Sequence, residues 1–185
     1  MTDRAVLFSI KPKYCELIAS GKKTVEVRKT RPKIPTPFKG YIYCTKGETV
    51  YLPRDIFGNE SLNGKVIGEF VCDYISMNIK GYNQDGVPAY WTLLNGSCLT
   101  ADELDDYGKG KPLYGLHISD LEIYDKPKEL SEFCFSPERY CEKGLCGGCP
   151  YDQVPNEYGE YEFDCEWKRP IIRPPQSWCY VQEVK

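Results

Sequence analysis

Long apolar runs are missing from this sequence. No stretch approaches the length of a membrane-spanning helix. No apolar run of signal-peptide type stands near the N-terminus. The expectation is a cytoplasmic protein with no membrane partner. In that compartment structural disulfides are rare, so the ten cysteines call for another explanation. Histidine is almost absent, and His117 is the only one. Imidazole acid–base chemistry would rest on that residue alone. More often such a histidine fills a hydrogen-bonding niche in a strand. No internal repeat is evident.

What is present is enough for one domain. A chain of 185 residues can bury a substantial core and still carry an appended module. Tyrosine is abundant, at 15 residues, and the apolar fraction of 41% is ordinary for a folded protein. The net charge of −3 hides an asymmetry. Residues 1–50 carry 11 Lys/Arg against 4 Asp/Glu, a balance of +7, and the remainder carries 13 against 23, a balance of −10. A basic third on an acidic protein can form a local anion-binding surface. The alternative is a set of charges scattered over a solvated shell.

The stretch from Leu7 to Arg28 organises the rest. Ala5 to Ile10 reads as a strand. Pro12 suits the first turn of a helix, where its missing N–H costs nothing. Tyr14, Leu17 and Ile18 fall on one helical face. Gly21 then stands at the left-handed stop position. From Thr24 the period becomes two, in a second strand over Lys23 to Lys29. Val25 and Val27 point one way, and Thr24, Glu26 and Arg28 the other. Glu26 and Arg28 therefore share a face, close to Lys22 and Lys23.

Gly21-Lys22-Lys23-Thr24-Val25-Glu26-Val27-Arg28 resembles the G-x-K-x-x-E-x-R signature of ASCH domains. The preceding SIKPKYCELIASG is similar to that family's opening strand and helix. The likeness runs more loosely along the strand pattern to Tyr124 and to the closing PPQSWCYV. It implies an α+β fold, a PUA-like mixed β-barrel with a few short helices, in one domain over 1–185. It says little about the segment from Cys134 to Cys165.

Further along, Thr30 to Gly40 is a proline-rich loop carrying Arg31, Lys33 and Lys39. It either contacts phosphates or is merely kept soluble by its charge. Tyr41 to Thr45 is a third strand, and Gly47 to Gly64 is loop. Lys65 to Ile75 reads as one unbroken barrel strand with both faces partly apolar. Tyr90 and Trp91 could stack a base but are more simply core. Thr100 and Glu103 form a capping box at the start of a helix, which gives Glu103 a structural role. Leu113 to Ile118 and Leu121 to Tyr124 are two strands around a turn at Ser119-Asp120. Trp178 to Val184 is a last strand, expected to pair back into the barrel.

Residues 133–166 form a Cys-rich insertion before that strand, with few aliphatics. Cys141, Cys146 and Cys149 give C-x4-C-x2-C, and Gly144, Gly147 and Gly148 let the loop curl so that sulfurs converge. The simplest reading is tetrahedral zinc, with the fourth sulfur from Cys134 or Cys165. Free thiols come second. An iron–sulfur cluster with Cys179 as a distant ligand is a remote third. Cys15, Cys44, Cys72 and Cys98 read as small core residues.

Three functions compete. The resemblance implies a cleft beside the motif helix able to take RNA or a nucleotide-like ligand. Lys22, Lys23, Arg28, Lys29, Arg31 and Lys33 would contact phosphates, and Glu26 would accept from a base N–H or hold its basic neighbours. Alternatively Glu26 is simply an ion-pair partner. The second function is a hydrolase acting on a modified nucleoside or RNA through Lys23 and Glu26. In the amidohydrolase pattern of some ASCH proteins, however, a threonine stands where Glu26 does here. The weakest is a protein-interaction module using the acidic C-terminal half.

Overall fold

The computed structural model describes residues 5–47, 62–78, 91–135 and 170–183. The first strand, β1 (Ala5–Ile10), is buried over its whole length. It lies between β3 (Phe38–Cys44), which it pairs in parallel, and β9 (Trp178–Glu183), which it pairs antiparallel. Its alternation of side chains feeds two cores. Val6, Phe8 and Ile10 pack on one face with Ile18, Ile42 and Phe70. Ala5 and Leu7 pack on the other with Tyr41, Tyr43, Phe133 and Val181.

Helix α1 (Pro12–Ala19) begins with Pro12 in its first turn and buries Cys15 and Ile18. A side chain such as Ile18 contributes about 1.5–3 kcal/mol when fully removed from water. The helix stops as its sequence requires: Gly21 has φ +71, a left-handed conformation that glycine adopts without steric penalty. The chain then enters β2 (Val25–Arg28).

The larger sheet has six strands in the order β7-β4-β3-β1-β9-β8, where β4 is Lys65–Cys72, β7 is Ser119–Glu129 and β8 is Phe133–Phe135. Gly40 of β3 lies against the Phe70 ring, and a Cβ there would meet the ring at 2.5 Å. The smaller sheet has three strands in the order β2-β6-β5, with β5 at Ile75–Asn78 and β6 at Leu113–His117. Its outer face packs a third core of Val25, Val27, Leu93, Leu104 and Leu113, supplied partly by α2 (Trp91–Ser97) and α3 (Ala101–Gly108). The capping box of α3 is formed as its sequence implies. Glu103 N–H donates to Thr100 Oγ1 at 3.1 Å, and Thr100 N–H donates to Glu103 Oε2 at 2.8 Å.

The α+β class holds, and among the described residues no closed barrel is seen. Among the described residues the strands form two sheets, and no ladder joins them. The reason lies at Asp73-Tyr74, inside what reads as one strand from Lys65 to Ile75. The Tyr74 carbonyl accepts from the backbone N–H of His117 at 3.1 Å and from the Cys72 thiol at 3.4 Å. The chain there leaves β3 and β7 and takes β6 as its partner. A matching transfer occurs after β6. Asp120 has φ +44, and Ser119 Oγ donates to Val71 O at 2.9 Å, so β7 turns onto the large sheet. Phe133–Phe135, read from composition as the start of the Cys-rich insertion, forms an edge strand on β9. Residues 136–169 lie outside the described residues. No described helix is long and apolar enough to cross a membrane.

Candidate functional site

Three backbone hydrogen bonds fix the entry to β2. Lys23 N–H donates to Leu17 O at 2.9 Å, Thr24 N–H to Gly96 O at 2.8 Å, and Ile118 N–H to Thr24 O at 2.9 Å. Pairing with β6 sets Glu26 opposite Leu116 and Arg28 opposite Tyr114. Residues directly opposite in a ladder share a face. Leu116 belongs to the core of Phe8 and Ile18, so Glu26 and Arg28 face the large sheet.

Lys23, Glu26 and Arg28 are only 2%, 6% and 7% exposed. Lys23 Nζ donates to Val25 O and Ser97 O, both at 2.8 Å, and lies 3.4 Å from Glu26 Oε2. Two carbonyl hydrogen bonds thus hold the ammonium, with Glu26 beside it as an ion-pair partner. Arg28 Nη2 lies 3.0 Å from Glu26 Oε1 and donates to Ser9 O at 2.7 Å. Its Nη1 reaches Ser177 Oγ at 3.4 Å. Arg28 Nε is buried and has no hydrogen-bond partner among the described residues. The trio thus holds two cations and one anion, with one donor unanswered. Arg28 also ties the small sheet to β1 and to the approach of β9.

Aromatic side chains flank the trio. The Phe8 ring centroid lies 5.8 Å from the Arg28 guanidinium, and the Tyr14 centroid 5.2 Å from Lys23 Nζ. Burial pushes the Tyr14 phenol up, and the charges of Glu103 and Glu26 add to it. Burial also raises the Tyr107 phenol; Arg28 opposes this and Glu26 reinforces it. Tyr14 on α1 and Tyr107 on α3 therefore both sense Glu26.

The remaining basic residues of the motif region lie on the surface. Lys22, Lys29, Arg31 and Lys33 are all exposed. Lys29 Nζ stands 4.6 Å from the Tyr107 centroid, and the Arg31 guanidinium 5.9 Å from the Tyr114 centroid. The proline-rich loop is anchored by β9. Trp178 Nε1 donates to Thr30 O at 3.3 Å and Thr30 Oγ1 at 3.2 Å, and Lys33 N–H donates to Tyr180 Oη at 2.7 Å.

The motif residues thus split into two layers. Lys23, Glu26 and Arg28 meet, while Lys22 does not join them. Its carbonyl instead accepts from the Cys98 thiol at 3.3 Å. Cys98 is exposed, with φ +56, and so is not a core residue; Cys15, Cys44 and Cys72 are buried. Of the sulfurs read as metal ligands, Cys141, Cys146 and Cys149 lie outside the described residues. Cys134 is buried in β8, where its thiol donates to Gln182 O at 3.4 Å. No group of three potential ligands converges among the described residues. Tyr90 and the Trp91 side chain also lie outside them. His117 Nδ1 is 2.6 Å from Asp73 Oδ1, and its ring stacks on Tyr74, which fills the hydrogen-bonding niche expected of a lone strand histidine. Tyr107 and Tyr114 carry no local signal of a site. Their proximity to Lys29 and Arg31 arises only when α3 and β6 fold against β2.

Chemically, the inner layer can orient a buried carboxylate between two cations. The outer layer can receive negative charge. No family model matches the sequence, and no curated protein matches it. Among solved structures the fold is similar to ASCH from Zymomonas mobilis, at 22% identity and a TM-score of 0.50, covering 69% of this chain and 75% of that one. A serine-to-alanine mutant of the Zymomonas mobilis protein matches at 22% identity and a TM-score of 0.50, over 68% of this chain and 74% of that one. The likeness establishes an ASCH-type fold.

Proposed function

We propose that this ASCH-type fold binds RNA, or a nucleotide-like portion of it, at the surface beside Lys23, Glu26 and Arg28. The observation that carries this reading is the separation of charge into two layers. The inner trio is buried, has an excess of one positive charge, and leaves Arg28 Nε without a partner among the described residues. The outer cations, Lys22, Lys29, Arg31 and Lys33, remain in solvent, free to exchange counterions for phosphates. Phosphate contacts would position the strand, and the inner trio would bias the site toward an anion or a polar base edge.

The test is retention of a short RNA at low salt. Binding should weaken steeply as salt rises and be lost when Lys22, Lys29, Arg31 and Lys33 are all replaced by alanine. Retention unaffected by salt or by those substitutions would overturn the proposal.

One observation favours a second reading, hydrolysis of a modified nucleoside or RNA. Lys23 Nζ and Glu26 Oε2 stand 3.4 Å apart out of water, a buried ion pair that one bridging water could link for proton transfer. Against it, both Lys23 carbonyl partners hold that amine in place. Turnover abolished by Lys23→Ala or Glu26→Gln, with the fold intact, would support this reading over simple binding.

A further inference from the structure

We infer that Tyr107 and Tyr114 are stacking positions for unpaired bases, each guarded by a cation that moves to phosphate when the base arrives. The inference rests on the RNA-binding reading and specifies how the strand is held. Lys29 covers one ring at 4.6 Å and Arg31 covers the other at 5.9 Å. Both cations are exposed, and both tyrosines are partly buried. Two such pairs, set by alternate residues of one segment, interleave positive charge with flat apolar surface. That combination suits a single strand, whose bases have free faces and whose backbone is anionic. A duplex has no free base faces to offer.

The surroundings add direction. Tyr114 lies opposite Arg28 on one side of the small sheet and opposite Met77 on the other. Arg28, Tyr114 and Met77 therefore form a row on one face, from a buried cation to an exposed thioether. Met77 is 61% exposed and extends the platform with polarisable apolar surface. Tyr107 packs against the third core beside Val25 and Val27, and Lys29 lies over its ring.

The exchange is chemically balanced without any covalent step. A cation over a ring gains about 0.5–1 kcal/mol at an exposed site. A base takes the ring face, and the phosphate of the same nucleotide gives the displaced cation a stronger, charge-assisted partner. The strand thus supplies both groups of the trade. The loop carrying Arg31 stays attached to Trp178 and Tyr180 throughout, so only its side chain has to move.

Fluorescence anisotropy with an unstructured RNA of about eight nucleotides, within the usual site size, tests this. Tyr107→Leu and Tyr114→Leu should each weaken binding about tenfold with an unchanged salt slope. Restoring a ring with phenylalanine should recover most of the loss. The same RNA annealed to its complement should bind more weakly than the single strand. Leucine variants that bind like the wild type, or a duplex that binds as tightly as the single strand, would overturn the stacking inference while leaving RNA binding intact. Wild-type protein that shows no salt-sensitive retention of any RNA would overturn both. The duplex comparison uses unaltered protein, so it decides the matter even if a leucine variant fails to fold.

Discussion

Arg28 and Ser9 join two sheets that share no ladder among the described residues: the guanidinium donates to the Ser9 carbonyl at 2.7 Å. The same guanidinium holds Glu26, which in turn faces Lys23. The ion pairs are therefore structural hardware as well as a candidate site. Buried pairs of this kind add little net stability when intact, but losing one partner leaves the other charge stranded.

Glu26→Ala should accordingly lower stability by about 3–5 kcal/mol, since it strands two cations. Urea denaturation measures it. Arg28→Lys should also destabilise, because an ammonium cannot span Ser9, Ser177 and Glu26 as the planar fork does. High salt should rescue neither variant, as buried charges are screened little.

The salt dependence of RNA binding should count the outer cations. Four phosphate contacts at about 0.7 each give a slope near −3 in log affinity against log salt for a single strand. Each of Lys22→Ala, Lys29→Ala, Arg31→Ala and Lys33→Ala should reduce that slope by about 0.7. Titrations at several salt concentrations check it.

The pH profile should fall at both ends. The Tyr14 and Tyr107 phenols are raised in the folded state. Their contribution is full below the unfolded value near 10 and is lost as pH rises through the folded values. Absorbance titration should show these phenols ionising later than unfolded tyrosine. Two carboxyls act in the opposite sense. Burial pushes Asp73 and Glu69 up, but His117 together with backbone N–H bonds at Asp73 and Tyr74 outweighs it for Asp73, and Lys39, Tyr124 and Lys128 together outweigh it for Glu69, so both lie below their ordinary values. Their contribution is present above the unfolded values near 4 and is lost as pH falls through the folded ones. Thermal melts across pH should show Asp73→Asn flattening the acid limb.

We propose that Cys134, Cys141, Cys146 and Cys149, closely spaced in the sequence, hold zinc. Protein purified without chelator should then contain zinc in stoichiometric amount, and Cys146→Ser should lose most of it. Elemental analysis reads the result directly. Metal-free protein at full thiol count would remove the idea. Because thiolates bind the ion, acid should release it.

Much of the first third of the fold is legible in the chain. Pro12, Gly21 and the change of period at Thr24 each act locally, so strand, helix, stop and strand follow directly. The capping box at Thr100 is local too. The break at Asp73-Tyr74 is not, because alternation runs straight through it and only a distant N–H, from His117, redirects the chain. The inward fate of Lys23 is equally hidden. One of its acceptors, Ser97 O, lies 74 residues away. A third strand read from Tyr41 in fact starts at Phe38, directly after Pro37, since the prolines only bar the positions they occupy. Tyr107 and Tyr114 look like any helix-end and strand tyrosines until β2 arrives beside them.

β9 sits at β1's flank, yet the ribosome makes it after every other described strand. Until then β1 has an open edge, and Arg28 lacks its Ser177 contact. The basic loop likewise waits for Trp178 and Tyr180 to pin it. A nascent chain halted before this strand would therefore display its cations on an unfinished scaffold, and affinity for a polyanion would be acquired only once β9 is in place.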